Sequence, residues 1–121
     1  MRDFKTLKVW QKAHEMALYI YKATQLFPKE ESYGLTSQLR RASTSVPANI
    51  AEGSGCNGNR EFAYFLKIAL RSASETEYHI LLAFDLGYLD SSVYESLNNQ
   101  VIEVKRMLTK FIEKIKTDTE C

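Results

Sequence analysis

Residues 94–115 read YESLNNQVIEVKRMLTKFIEKI, and the apolar side chains in this stretch recur at alternating three- and four-residue steps. The recurring positions are Tyr94, Leu97, Val101, Val104, Leu108, Phe111 and Ile115. This is the spacing of a heptad seam, in which one side of an α-helix packs against other helices. The stretch therefore predicts a long amphipathic helix.

Three segments upstream have the same helical period. The predicted helices cover approximately residues 7–27, 32–54, 59–86 and 92–116. With only five Gly and two Pro, the chain lacks the frequent turn signals of an all-β domain. Short connections between long helices favour antiparallel neighbours. We therefore expect an all-α fold, an antiparallel up-down-up-down four-helix bundle forming a single domain over residues 1–121.

Pro47 lies inside the second predicted helix, where it removes one backbone hydrogen bond and its ring clashes with the carbonyl of Ser43. Either the helix bends at Pro47, or it breaks and restarts with Thr44 or Ser45 as its N-cap. The apolar stripe keeps its phase on both sides of the proline, which favours a second helix kinked near Pro47. At the fourth helix, Ser92 has the spacing of a capping-box residue.

The sequence contains no catalytic, cofactor-binding or metal-binding motif in the structural setting that such a motif requires. Gly53-x-Gly55-x-x-Gly58 matches the dinucleotide-binding fingerprint, but a helix rather than a strand precedes it, so we interpret it as a helix–helix loop. His14 and His79 have no metal-ligand companion at useful spacing. We therefore predict that the protein is not an enzyme, with no catalytic, cofactor-binding or metal-binding residues and no small-molecule substrate.

The polar side of the second helix is the most unusual segment. Arg41, Ser45, Asn49 and Glu52 fall close to one face, and small hydroxyl residues there allow another helix to approach. With Glu75 of the third helix, they are predicted to form a structural polar network.

The arginines of this helix have two interpretations. In one, Arg40 or Arg41 is tied to Glu52 or Glu75 inside the bundle. In the other, the segment is a phosphate groove or a subunit contact, and Lys67 and Arg71 extend a basic surface. Arg40, Arg41, Lys67 and Arg71 are accordingly the nucleic-acid-binding candidates.

The charge distribution sets no strong preference for a partner. The formal net charge is +1, with nine Lys/Arg against five Asp/Glu in residues 1–60 and seven against ten in residues 61–121. The basic and acidic halves could pair internally or present a basic face. No signal peptide or membrane span is evident, and Cys56 and Cys121 do not form a disulfide framework. We expect a cytoplasmic protein without membrane contact.

Tyrosines exceed what four apolar stripes can bury. Those at issue are Tyr19, Tyr33, Tyr64, Tyr78 and Tyr88. Because tyrosine is enriched at protein interfaces, several of them exposed on one face would indicate an oligomer.

Several blocks of the chain resemble one family. They are LKVWQKAH (7–14), FPKEE (27–31), YGLTSQLRRA (33–42), VPANIAEG (46–53), EF (61–62) and FLKIAL (65–70). Together they resemble the bacterial four-helix bundle proteins named for intervening sequences in large-subunit ribosomal RNA genes, over residues 3–115.

The resemblance implies an antiparallel four-helix bundle without catalytic residues. Some relatives assemble as barrel-like homopentamers, and one, the accessory protein of diversity-generating retroelements, binds nucleic acid and a reverse transcriptase through a basic surface. We therefore expect a non-enzymatic homo-oligomeric scaffold or adaptor, with a pentamer favoured. The alternative is an RNA- or DNA-binding accessory module. This chain has Arg71-Ser72 where the family usually has Gly-Ser, which would loosen a helix contact or add surface charge.

Overall fold

The computed structural model describes the backbone of residues 2–120 and the side chains of residues 2–116. Within this part of the chain there are four long helices and no strand: α1 (Lys8–Thr24), α2 (Leu35–Ser54), α3 (Asn59–Asp85) and α4 (Ser91–Glu120). Short 3₁₀ turns at Phe4–Thr6 and Lys29–Glu31 precede α1 and α2. The protein is therefore an all-α four-helix bundle. Cys121 lies outside the described residues.

The helices pack in chain order around one core. α1 and α3 each pack against both α2 and α4, so α1 and α3 occupy opposite corners of the bundle. The α4 stripe is buried as its heptad spacing predicts, with Val101, Val104 and Leu108 almost fully enclosed. Phe62 of α3 is fully buried and meets the half-buried Phe111 edge-on, their ring centroids 5.4 Å apart. The up-down-up-down direction of the helices stays a prediction.

α2 continues through Pro47 as one element, so the alternative of a break and restart at Thr44 or Ser45 is wrong. The hydroxyls of Ser43 and Thr44 donate to the carbonyl of Arg40 inside the helix instead of capping a new one, at 3.0 and 2.9 Å. The bend at Pro47 stays a prediction.

α2 and α3 lie close together at Gly53. A Cβ added at this buried glycine would lie 2.7 Å from Cβ of Phe65 and 2.9 Å from Cδ1 of Phe62. The glycine is thus needed inside the helix for close packing, a role that the interpretation of the glycine motif as a helix–helix loop did not include. The helix ends beyond it, at Ser54.

Two carboxylates accept backbone hydrogen bonds at the starts of α2 and α4. Glu31 accepts from the backbone N–H of Leu35 at the start of α2 and from the hydroxyl of Tyr88, at 3.1 and 2.9 Å. At α4, Asp90 rather than Ser92 caps the helix, because its Oδ1 accepts from the backbone N–H of Val93 at 2.9 Å. The Ser92 hydroxyl donates to the same carboxylate. The capping-box prediction was therefore displaced by two residues.

Candidate functional site

A polar groove opens between α2 and α3. We use this name for the space lined by Gln38, Arg41, Ala42, Ser45, Ser72 and Glu75, with a volume of about 440 Å³. At its base the hydroxyls of Ser45 and Ser72 lie 2.9 Å apart and share a hydrogen bond. Asn49 supports them from one turn further along α2, since its amide donates to the carbonyl and the hydroxyl of Ser45.

The predicted polar network is brought together in part. Ser45 and Asn49 bond directly, and Arg41 and Glu75 line the same groove. Glu52 lies further along α2, where its carbonyl is 3.8 Å from Sγ of Cys56. Ser72 is the member that sequence reasoning missed. It lies seven residues after Phe65 and so shares its face of α3, but only the structure shows that this face meets α2, at Gly53.

The two adjacent arginines of α2 have different surroundings. Arg40 reaches α1, where its Nε donates to Oγ1 of the buried Thr24 at 2.8 Å and its guanidinium lies 4.7 Å from the ring centre of Tyr21. Arg41 is exposed. Among the described side chains, no ion pair joins either arginine to Glu52 or Glu75, whereas Lys12 pairs with Glu103 and Lys105 with Glu77.

A basic cluster lies on the outer surface of α3 and α4. Lys116 lowers the pKa of Lys67 by charge repulsion, which is the main cause of the shift, and Arg71 adds to it. Such a shift requires the three cations to lie close together in space. Arg71 is exposed, so at this position it adds surface charge, while the contact with α2 passes through its neighbour Ser72. We call Lys67, Arg71 and Lys116 the basic cluster.

Four of the five surplus tyrosines are exposed. On α3, Tyr64 is 61% and Tyr78 59% exposed, and both share a face with Arg71, which lies seven residues from each. Tyr19 lies on α1 near the exposed Leu18, and Tyr33 lies in the turn before α2. Tyr88 is the exception, because it is half-buried and packs against Phe27.

A second groove, largely apolar, lies between the end of α1 and the start of α4. Its volume is about 370 Å³, and it is lined by Tyr19, Lys22, Ala23, Leu26, Ser92, Val93, Ser96 and Leu97. Leu26 is 88% exposed at its rim. A contiguous apolar surface, rather than a single exposed leucine, is what marks an interaction site.

Neither histidine lies in a cluster of possible metal ligands among the described residues. His14 stacks on Trp10, with ring centroids 4.8 Å apart, and His79 is buried in α3. Within the described residues, no group of three or more His, Cys, Asp or Glu side chains is arranged to hold a metal ion. The helices described here also include none that is long and apolar enough to cross a membrane.

Comparisons with known proteins identify the family. Residues 5–110 match the model of the 23S rRNA-intervening sequence protein family. The chain belongs to this family. A crystal structure from Bacteroides thetaiotaomicron, described as a protein with unknown function from the S23 ribosomal protein family, is 33% identical with a TM-score of 0.78. The match covers 86% of this chain and 97% of that one.

Family membership confirms the resemblance seen in the sequence, and the structure confirms the all-α four-helix bundle. No curated protein matches the chain. The descriptions of the intervening-sequence family and of the Bacteroides protein name no enzymatic activity.

Proposed function

We propose that this intervening-sequence protein is a non-enzymatic, homo-oligomeric scaffold whose copies join through the outer faces of α3 and α1. The observation that carries the proposal is the placement of exposed apolar side chains on these two helices. On α3 they are Tyr64, Tyr78 and Leu81. On α1 they are Leu18, Tyr19 and Tyr21, and Leu26 follows in the turn after the helix.

The positions of the two surfaces favour a ring. Because α1 and α3 occupy opposite corners of the bundle, the two apolar faces point away from each other. A two-fold dimer uses one patch twice, whereas a head-to-tail contact uses two different patches and forms a cyclic ring when the rotation between successive copies closes. A pentamer is the ring we favour, as the family resemblance implies.

Charges on the two faces are complementary. On α3, Arg71 lies between Tyr64 and Tyr78, while on α1 the exposed Glu15 lies one turn before Leu18 and Tyr19. We therefore pair Arg71 of one copy with Glu15 of the next. Such a pair at the edge of an apolar contact would set its register and direction more than its strength.

A charge-swap experiment tests this contact. Arg71→Glu and Glu15→Arg, each alone, are expected to shift the protein towards monomer in size-exclusion chromatography with light scattering, because each places like charges opposite each other. The double variant restores the attraction and is expected to regain the oligomer. Single variants that keep the wild-type mass, or a double variant that stays dissociated, would contradict the pairing.

Lysine substitutions at two exposed tyrosines, one on the α3 face and one outside both faces, test the apolar part of the proposed contact. Tyr78→Lys is expected to dissociate the oligomer. Tyr33→Lys, at a residue that is 99% exposed and off both faces, should not. If both variants dissociate the oligomer equally, the result contradicts an interface on α3. Circular dichroism of both proteins checks that the helices are retained.

The alternative function is RNA or DNA binding by the same α3 surface. The basic cluster favours it, since mutually repelling cations gain from a phosphate placed between them. Tyr64 and Tyr78 would add rings on which unpaired bases stack. Arg40 and Arg41 complete the candidates for this role, although Arg40 is already engaged with α1.

Filter binding with structured RNA and with single-stranded DNA tests this alternative. Affinity is expected to fall steeply with salt, and the double variant Lys67→Glu, Lys116→Glu should abolish retention, because it reverses two of the three charges of the basic cluster. Binding that ignores salt or survives the double substitution would reject the basic cluster as the site.

A further inference from the structure

The turn between α2 and α3 contains the one Asn-Gly pair in the sequence, Asn57-Gly58. Both residues are exposed, and both lie outside the helices that end at Ser54 and begin at Asn59. An Asn followed by Gly is chemically labile, because the backbone nitrogen of the glycine can reach the side-chain carbonyl without hindrance from a Cβ. Folding protects such a pair only where it immobilises one of the two reacting groups.

Neither reacting group is immobilised here. Within the described residues, the carboxamide of Asn57 makes no hydrogen bond, and the backbone N–H of Gly58 donates to no acceptor. Gly58 has extended backbone angles, φ −135° and ψ 160°, and a Cβ built on it would meet no atom within 4 Å. Neither the nucleophile nor its target is thus held by a hydrogen bond of its own; the carbonyl of Gly58, which takes no part in the attack, accepts from the backbone N–H of Phe62 at 3.2 Å.

The side chains of the two neighbouring asparagines, Asn49 and Asn59, are engaged in hydrogen bonds. Asn49 is inside α2 and donates to Ser45 twice, at 2.8 and 2.9 Å. Asn59 is the first residue of α3, and its Oδ1 accepts from the guanidinium of Arg2. Both precede residues with bulky side chains, Ile50 and Arg60. The contrast with Asn57 lies within a few residues of the same chain.

We propose that Asn57 is a site of spontaneous deamidation and isoaspartate formation in the folded protein. Hydroxide removes the proton of the Gly58 backbone nitrogen, which attacks Cγ of Asn57. The bond from Cγ to the side-chain nitrogen breaks, and ammonia leaves. Water then opens the resulting cyclic imide at either carbonyl. Opening at Cγ gives aspartate, and opening at the backbone carbonyl gives isoaspartate, with the chain continuing through the side chain.

The product changes the charge of this turn. Either product carries a new carboxylate next to the start of α3, where the partial positive charge of the helix end favours an anion. The modification removes the formal net charge of +1. The partial positive charge at the N-terminus of α3 also favours the deprotonated backbone nitrogen of Gly58 that forms in the first step of the reaction.

Trypsin provides a sharp assay, because cleavage after Arg41 and Arg60 releases one peptide, 42–60, that contains Asn49, Asn57 and Asn59. After incubation of the native protein at mildly alkaline pH, deamidation is expected as a mass gain of about 1 Da at residue 57 alone. A parallel sample in urea gives the rate in the unfolded chain. We expect the folded chain to react at least as fast.

A folded chain that keeps Asn57 while the unfolded chain loses it would overturn the proposal, as would a mass gain at Asn49 or Asn59 instead. Isoaspartate is distinguished from aspartate by methyl transfer from labelled S-adenosylmethionine, using an isoaspartate-specific methyltransferase as the probe. Incorporation into the wild type supports the proposal, and its absence after deamidation contradicts the isoaspartate branch.

Gly58→Ala is the matched variant. The added methyl group projects into open space, and the backbone angles suit alanine, so the fold is expected to be retained by circular dichroism. The methyl group hinders the attack on Asn57, and both the mass gain and the methyl label are expected to be lost. Deamidation that continues in Gly58→Ala at the wild-type rate would overturn the proposed route.

Discussion

At the scale of single residues, Arg40 and Arg41 differ most sharply despite their identical chemistry. Arg40 satisfies the buried hydroxyl of Thr24 across the α1–α2 contact, whereas Arg41 is exposed. We expect Arg40→Ala to lower the free energy of unfolding by about 1.5–3 kcal/mol, the range for hydrogen bonds to charged groups. Arg41→Ala is the matched control and should change it by less than about 0.5 kcal/mol.

Urea unfolding followed by circular dichroism measures both values. Arg40→Lys should not recover the loss, because an ammonium group cannot reproduce the Nε bond to Thr24 together with stacking on Tyr21. Equal effects of the two alanine substitutions would contradict the structural role of Arg40.

Gly53 gives a second prediction at this scale. Gly53→Ala would force a methyl group against Phe62 and Phe65, so we expect a loss of about 1–3 kcal/mol in the free energy of unfolding, although alanine is the better helix former. Gly55→Ala meets only an ordinary contact, 3.5 Å from the carbonyl of Glu52, and is the control. A stabilised Gly53→Ala protein in thermal unfolding would show that α2 and α3 are further apart.

At the scale of the helix, the cap of α4 is Asp90. The N–H of Val93, and secondarily the Ser92 hydroxyl, hold the pKa of Asp90 below its usual value. Its contribution to stability is therefore complete above about pH 3.9, the value expected in the unfolded chain, and is lost as pH falls through the lower folded value.

Asp90→Ala is expected to lower the melting temperature at neutral pH, and its difference from the wild type should shrink under acid conditions. Ser92→Ala should have the smaller effect, since the backbone bond to Asp90 remains. Thermal melts at several pH values provide the measurement. A larger effect of Ser92→Ala would restore the capping box predicted from the sequence.

The helices themselves were largely predictable, because heptad spacing and scarce Gly and Pro depend only on local sequence. Helix ends were less so. α1 ends at Thr24 rather than near residue 27, because the backbone N–H groups of Leu26 and Phe27 bond to carbonyls three residues back instead of four. Which of two adjacent arginines faces a neighbouring helix depends on the rotation of whole helices, which periodicity does not determine to within one residue.

At the scale of the whole molecule, the candidate surfaces were only partly predictable. The excess of tyrosines indicated exposure, and four of the five in question are exposed. The seven-residue spacing of Tyr64, Arg71 and Tyr78 already predicts that Arg71 lies between the two tyrosines on one face of α3. The proximity of Lys116 to Lys67 does not, because it depends on how α4 packs beside α3.

The mass of the native assembly tests the central claim most directly. Native mass spectrometry or light scattering of the unmodified protein at micromolar concentration is predicted to give a single ring, with five times the chain mass of 13.9 kDa favoured. A species of 13.9 kDa alone would contradict the scaffold proposal.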